Sequence, residues 1–331
     1  MNKIDVRPEM FHLHTVFNIA RGTPDYDKEV VLVTITDENG LIGRGEAIPC
    51  KRFGETVDFI TNQVNSVRTQ LEKGVSRKQL MDILAPGTAR CAIDGALWDL
   101  EAKQTGKPAW EIAGHSSAWK PVDTVQTLSL DTVDNMVKEA KKHPDSKILK
   151  IKLGGGADDM KRLEEIHKVR PDASLVIDAN EGWSLDELKE FVSKAKNFGV
   201  TMIEQPLPKD RDHELIGFDN KGILICVDES IHVLDDIKTR ADRYDMMNIK
   251  LDKAGGLTHA FEMMAEAKRL NKKVMVGCML ASSLSIAPAL LLAQDCDLAD
   301  LDGSWWLSDD RPGGITFSGG QAHPGTLWGQ P

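Results

Sequence analysis

Residues 148–179 read ILKIKLGGGADDMKRLEEIHKVRPDASLVIDA, and this stretch decides the fold. Ile148–Leu153 is a β-rich run. Asp158–Val169 alternates polar and apolar residues at helical spacing, and Ser174–Ala179 is β-rich again. A strand, a helix and a second strand of nearly continuous apolar character form one unit of a parallel sheet whose outer face is covered.

The same rhythm continues downstream. Val200–Glu204 (VTMIE), Ile223–Asp228 (ILICVD), Asp245–Lys250 (DMMNIK), Lys273–Gly277 (KVMVG) and Leu298–Gly303 (LADLDG) are further strand-like runs. Helical patterns at Leu185–Phe198 and Thr258–Leu270 lie between them. A doubly wound open sheet competes with a closed barrel here. Seven or eight units in one tract fit the barrel better, and the tract is short enough that one helix is missing or replaced. Upstream the pattern differs. Val30–Thr36 (VVLVTIT), the turn Asp37-Glu38-Asn39-Gly40 and Leu41–Ala47 (LIGRGEA) read as a hairpin. Thr88–Thr105 has a helix face and Gly106 stops it. Strands followed by helices imply a small α+β domain.

The charges fall in phase with the barrel units. Lys152, Asp178, Glu204, Asp228 and Lys250 follow one another at steps of 26, 26, 24 and 22 residues, one unit per step. Each closes a strand, at the end where barrels build active sites. A charge deeper in a strand would be buried without a partner at severe cost. Lys150 and Lys152 share a strand face, as do Asp300 and Asp302, because side chains i and i+2 point the same way. The second pair is expected across the barrel from the first. Asp178, Glu204 and Asp228 on consecutive strands can bring three oxygens to one hard cation, one Mg²⁺ per subunit with Mn²⁺ as a substitute. Zinc is disfavoured because no His or Cys shares the ring. Lys152 and Lys250 flank the acids. A lysine beside a metal and a second ammonium is expected to be tuned towards neutrality, which makes it a usable base.

Composition sets outer limits. The 331 residues are 41% apolar and 28% charged, with a formal net charge of −10. That sign argues against a nucleic-acid partner or an anionic membrane surface. No apolar run reaches the roughly 18–20 residues of a membrane helix. The charged start, Met1 to Arg7, does not read as a signal peptide, so a cytoplasmic location is expected. Cys50, Cys91, Cys226, Cys278 and Cys296 form no C-x-x-C pair and read as unpaired thiols in a reducing compartment.

The chain resembles the enolase superfamily, within it the muconate-lactonising subgroup, and further the dipeptide epimerases. The residues that carry this are Lys150-Ile151-Lys152, Asp178-Ala179-Asn180, Glu204-Gln205-Pro206, Asp228-Glu229-Ser230 and Asn248-Ile249-Lys250. Ala92–Leu100 (AIDGALWDL) and Gly106-Lys107-Pro108 are similar as well. Asp300-Leu301-Asp302-Gly303 looks like the D-x-D motif of dipeptide epimerases, and Gly277–Leu280, Asn248–Gly256, Ile19–Gly22 and Arg52–Glu55 are similar to the epimerases acting on L-Ala-D/L-Glu. The resemblance implies chemistry in which a Lys or His base acts with Mg²⁺ that stabilises an ene-diolate.

The resemblance implies an α/β chain with a modified TIM barrel, (β/α)7β, under an N-terminal α+β capping domain. Residues 1–115 would be the capping domain, 116–310 the barrel, and 311–331 a segment returning to the capping domain. It implies an isomerase that inverts the α-carbon of a dipeptide's C-terminal residue through an enediolate. Asp178, Glu204 and Asp228 would hold the metal. Lys152 would serve the (S) substrate and Lys250 the (R) substrate, with Lys150 as an electrostatic partner. Asp300 and Asp302 would hold the substrate ammonium, and Cys278 and Met279 would line the pocket. Arg21 and Arg52 would receive an acidic side chain, which favours L-Ala-D/L-Glu and a role in murein peptide recycling. Asp25, Asp27 and Glu29 in the same region argue instead for a cationic side chain. Epimerases of hydrophobic or cationic dipeptides, an o-succinylbenzoate synthase or cycloisomerase, and an inactive barrel that only binds remain alternatives. Association into a homo-oligomer is compatible with such a chain.

Other features have plainer readings. Gly154-Gly155-Gly156 lacks any phosphate-loop pattern and reads as a strand-to-helix loop. His143, His167, His213 and His259 are expected on the surface. Trp305-Trp306 is expected to be packing beside the mouth.

Overall fold

A computed structural model of the chain describes residues 1–20, 24–154 and 156–331, apart from the side chain of Lys51. Three antiparallel strands come first: β1 (Lys3–Phe17), β2 (Asp25–Thr36) and β3 (Ile42–Ala47), in that order in their sheet. The β2–β3 hairpin is the one that Val30–Thr36 and Leu41–Ala47 predict. Four helices follow: α1 (Val57–Ser66), α2 (Arg68–Lys73), α3 (Arg77–Ile83) and α4 (Thr88–Thr105). Gly106 ends α4 in the left-handed conformation at φ 66°. α4 is buried on nearly every side because it lies between β3 and the barrel. Gly43 and Gly45 make that approach possible, since a Cβ would stand 2.1 Å from Ala96 O at the first and 2.0 Å from Ala92 O at the second.

A short helix α5 (Ala109–Ile112) and strand β4 (Val122–Asp123) lead into the barrel. Its parts in order are β5 (Gln126–Leu128), α6 (Val133–Lys142), β6 (Ile148–Lys152), α7 (Asp159–Val169), β7 (Ser174–Asp178) and α8 (Leu185–Ala195). Then come β8 (Val200–Glu204), β9 (Leu224–Val227), α9 (Leu234–Arg240), β10 (Met246–Lys250), α10 (Leu251–Ala254) and α11 (Leu257–Arg269). β11 (Lys273–Gly277), α12 (Ser283–Ala293) and β12 (Leu298–Asp300) complete it. The eight strands β5 to β12 are hydrogen-bonded in sequence order, every pair parallel. A parallel bridge from Thr124 to Ala299 joins the two ends and closes the ring. Between β8 and β9 stands only the 3-10 turn Asp212–Leu215, which is where the barrel economises on helix.

Alternate residues of each strand face opposite ways. Leu149, Ile151, Leu175, Ile177, Ile203 and Ile249 join the large apolar core. Val176, Met202, Cys226, Met246 and Met275 form a separate cluster that fills the lumen. Lys150 pairs in register with Val176, level with this plug, while Lys152 pairs with Asp178 and Asp178 with Glu204 one step nearer the mouth. The plug therefore floors the polar site.

The last strands, β13 (Thr316–Ser318) and β14 (Gln321–His323), form a small sheet with β4. Trp328 Nε1 donates to Gly95 O at 2.8 Å and the Gly329 amide to Asp99 Oδ1 at 2.9 Å, both on α4. Among the described residues no helix is long and apolar enough to cross a membrane. All five cysteines are free. His259 departs from expectation: it is buried, and its Nδ1 lies 3.0 Å from Arg90 Nη2 and 2.8 Å from Ala254 O. It caps the contact between α4 and the α10 turn, which a surface reading of its helix could not reveal.

Candidate active site

The carboxyl ends of β6 to β10 bring Lys152, Asp178, Glu204, Asp228 and Lys250 together, and all are buried or nearly so. The backbone just beyond two of these ends is strained. Asn180, Glu181 and Gln205 have φ of 43°, 64° and 35°, a region L-residues seldom adopt and one that gathers at functional sites. Gln205 splints two strand ends. Its Oε1 accepts from the Asp228 amide at 3.0 Å, and its Nε2 donates to Ser230 Oγ and Tyr244 Oη. Asn248 Nδ2 holds Glu204 Oε1 at 2.7 Å.

Four ammonium groups thread these acids. Lys150 Nζ lies 2.5 Å from Asp300 Oδ2, 2.6 Å from Glu204 Oε2 and 3.1 Å from Asp178 Oδ2. Lys152 Nζ lies 2.5 Å from Asp178 Oδ2 and 3.4 Å from Asn180 Oδ1. Lys250 Nζ lies 2.8 Å from Asp228 Oδ2, and Lys253 Nζ 2.6 Å from Asp228 Oδ1. Burial pulls the Lys250 ammonium down, but Asp228 and Glu204 outweigh it and hold it above the ordinary lysine range. For Lys250 the expected tuning towards neutrality is therefore reversed in this arrangement, because its ammonium is matched to a carboxylate. Burial works against the Asp178 and Asp228 carboxylates, yet the neighbouring lysines hold both below the usual range.

Glu204 is the exception. Burial, with Asp178 and Asp228 close by, pushes its carboxyl up to about 7. Its Oε2 is buried and makes no hydrogen bond, since the approach of Lys150 falls outside hydrogen-bond geometry. Among the described residues no three acids are gathered tightly enough to hold one ion as they stand, with the lysines reaching between them. The donor set nevertheless fits a hard divalent cation: three carboxylates that repel one another, one of them with an oxygen left over.

Asp300 ends β12, and Asp302 stands two residues beyond it. Asp302 Oδ2 accepts from the Thr127 amide at 2.7 Å, and burial together with Asp300 pushes its carboxyl up to about 6. The expected placement of this pair across the barrel from Lys150 and Lys152 is wrong. Closure at Thr124–Ala299 sets β12 beside β5, two strands from β6, and so Lys150 and Asp300 touch. Lys152 and Lys250 are the pair that stand opposite, four strands apart in an eight-stranded ring. Cys278 and Met279 leave β11 against the same corner. A Cβ on Gly303 would stand 2.9 Å from Cys278 Sγ and 2.3 Å from Met279 O. Burial, with Asp300 and Asp302 adding to it, raises the Cys278 thiol well above its ordinary range, so it is an inert lining group.

Arg52 reaches the mouth from the N-terminal part, but its guanidinium is taken. It contacts Glu181 and lies 3.3 Å from Glu229 Oε1, both buried carboxylates. Arg52 is thus not a free anion receptor. Arg21 lies outside the described residues. The residues that sequence reasoning passed over are Lys253, Glu181, Glu229, Asn180, Gln205 and Asn248. Most sit inside the runs 178–180, 204–206, 228–230 and 248–256, so adjacency to a strand-end charge was the available signal.

The model of the mandelate racemase/muconate lactonizing enzyme N-terminal domain matches residues 1–114, and that of the enolase C-terminal domain-like family matches 132–327. The L-Ala-D/L-Glu epimerase of Escherichia coli K12 is 39% identical over 325 residues, 98% of this chain and all of that protein. An enolase family member from Agrobacterium tumefaciens, described as homologous to dipeptide epimerases and solved with sodium and L-Ala-L-Glu, is 40% identical with a TM-score of 0.95, covering 99% of this chain and 100% of that one. A dipeptide epimerase from Methylococcus capsulatus, solved with Mg and L-Arg-D-Lys, is 29% identical with a TM-score of 0.88, covering 99% and 98%.

Proposed function

The chain belongs to the mandelate racemase/muconate lactonizing enzyme family of the enolase superfamily and is a dipeptide epimerase, and we propose that its preferred substrate is L-Ala-D/L-Glu. The observation that supports the reaction is the opposed pair Lys152 and Lys250, with three buried acids on the strands between them. Inversion at Cα needs a proton removed from one face and returned to the other. Lys152 takes the proton of the (S) epimer, and the Lys250 ammonium delivers one to the opposite face. Each turnover leaves Lys152 protonated and Lys250 neutral; proton exchange with solvent returns both to their starting states, and the reverse reaction runs with the roles exchanged.

Asp178, Glu204 and Asp228 would hold a divalent cation, Mg²⁺ by the chemistry of three carboxylate oxygens. Bound there, it would supply Lewis acidity to the carboxylate beside the reacting carbon. Lys150, buried among Asp178, Glu204 and Asp300, adds fixed positive charge on the far side. Asp300 and Asp302 would receive the α-ammonium of the N-terminal residue through charge-assisted pairs. The carboxylate and the ammonium together specify a dipeptide.

Preference for glutamate rests on the relatives that act on or bind Ala-Glu peptides, since Arg52 is already engaged. Such peptides are fragments of cell-wall murein, which points to recycling of that material. The test is kcat/KM for L-Ala-L-Glu against L-Ala-L-Lys, L-Ala-L-Leu and N-acetyl-L-Ala-L-Glu. Ala-Glu should lead. A lysyl or leucyl peptide ahead by tenfold, about 1.4 kcal/mol of transition-state preference, would remove the glutamate assignment. Equal turnover of the N-acetyl peptide would remove the role given to Asp300 and Asp302.

A further inference from the structure

Lys253 stands on the single turn of α10, directly after the strand that ends in Lys250. It is 6% exposed, and its ammonium turns back onto one residue. It donates to Asp228 Oδ1 at 2.6 Å and also to the Asp228 backbone carbonyl. Lys250 takes the other carboxylate oxygen, Oδ2, at 2.8 Å. The turn that carries Lys253 is itself clamped from outside the barrel. Arg90 on α4 donates to Ala254 O at 2.7 Å and to Gly255 O at 2.9 Å. Gly255 and Gly256 have φ of 77° and 114°, and a Cβ at either would strike Arg90 or Asp94. Lys253 is therefore anchored at its backbone and committed at its tip.

We infer that Lys253 is a positioning residue for the cation site. By holding both Oδ1 and the main-chain carbonyl of Asp228, it fixes the rotation of that carboxylate and presents Oδ2, the oxygen that Lys250 contacts at 2.8 Å, as the one to turn to a metal. The inference rests on the reading that Asp178, Glu204 and Asp228 hold a divalent cation. Charge and position pull in opposite directions here. An ammonium beside a ligand repels a divalent ion, so a group acting through charge alone would tighten binding when removed. A group that orients the ligand weakens binding when removed, by about 10–100-fold for partners of this kind.

The experiment measures Mn²⁺ binding to the full chain without substrate, from the electron paramagnetic resonance signal of free Mn²⁺. The wild-type chain should bind one Mn²⁺ and Asp178→Asn should lose it. Failure of the wild type to bind overturns the metal reading itself. Given wild-type binding, Lys253→Met should weaken it about tenfold or more, and Lys253→Arg, which keeps a cationic donor, should recover most of the loss. Unchanged or tighter binding by Lys253→Met overturns the positioning role. If that variant does not fold, Lys253→Gln keeps a donor at shorter reach and is judged by the same sign.

Discussion

Lys152 Nζ lies 2.5 Å from Asp178 Oδ2, and the two residues face each other in register across β6 and β7. The amine proposed as a base is thereby paired with a carboxylate proposed to hold the metal. Asp178 would share that oxygen with a bound divalent cation, which would loosen the pair and leave Lys152 available to the substrate. Chelated enzyme should therefore show no exchange of the α-proton of L-Ala-L-Glu in deuterated water, and excess Mg²⁺ should restore it. Undiminished exchange after chelation, read by proton NMR, removes the metal from the scheme.

The opposition of Lys152 and Lys250 predicts a split between exchange and inversion. Either Lys→Ala change should lower net epimerisation by about 10²–10⁴-fold, the usual worth of a positioned acid or base. Each variant should still exchange deuterium into the one epimer its surviving lysine serves. Lys250→Ala should exchange the (S) peptide and Lys152→Ala the (R) peptide. Normal epimerisation by Lys250→Ala rules out two bases.

Asp302 predicts an acid limb in the pH profile. Burial first, and Asp300 second, push its carboxyl up to about 6. Below that pH it is neutral and offers the substrate ammonium a weaker contact. A charge-assisted hydrogen bond contributes about 1.5–3 kcal/mol, so kcat/KM should fall by roughly 10–100-fold as the pH drops through 6. Asp302→Asn should start from the lower value and lose that limb. A variant that keeps the wild-type profile assigns the limb to another group.

Much of this arrangement was legible because barrels impose phase. One unit per 22–26 residues puts Lys152, Asp178, Glu204, Asp228 and Lys250 at successive strand ends. Angular placement was not legible. Nothing local to Lys150 or Asp300 says that the ring closes at Thr124–Ala299 and so makes them neighbours. Arg52 shows a second limit, since its partners Glu181 and Glu229 lie 129 and 177 residues away in the chain. A sequence shows a guanidinium but not who neutralises it. β5 illustrates a third: three residues carry too little pattern to register as a strand, and only pairing with β6 defines them.

Asp252 gives a prediction about stability with a definite sign. It is 3% exposed, and its Oδ1 finds no hydrogen-bond partner among the described residues. Burial, then Glu55 and Glu46, push its carboxyl from 3.8 to about 7. The folded chain thus keeps this proton over a range in which the unfolded chain has released it. An acid raised in this way contributes its full stability below about pH 4 and loses it as the pH climbs through 7. A shift of about three units at 1.36 kcal/mol each bounds the loss, and sharing with Glu55 and Glu46 brings it to about 2–4 kcal/mol. Asp252→Asn removes the charge while keeping the shape. It should match the wild type near pH 4.5 and exceed it by about 2–4 kcal/mol at pH 8 in urea unfolding. If the variant is no more stable at pH 8, then Asp252 is ionised at little cost, and a donor or cation near Oδ1 must be holding it.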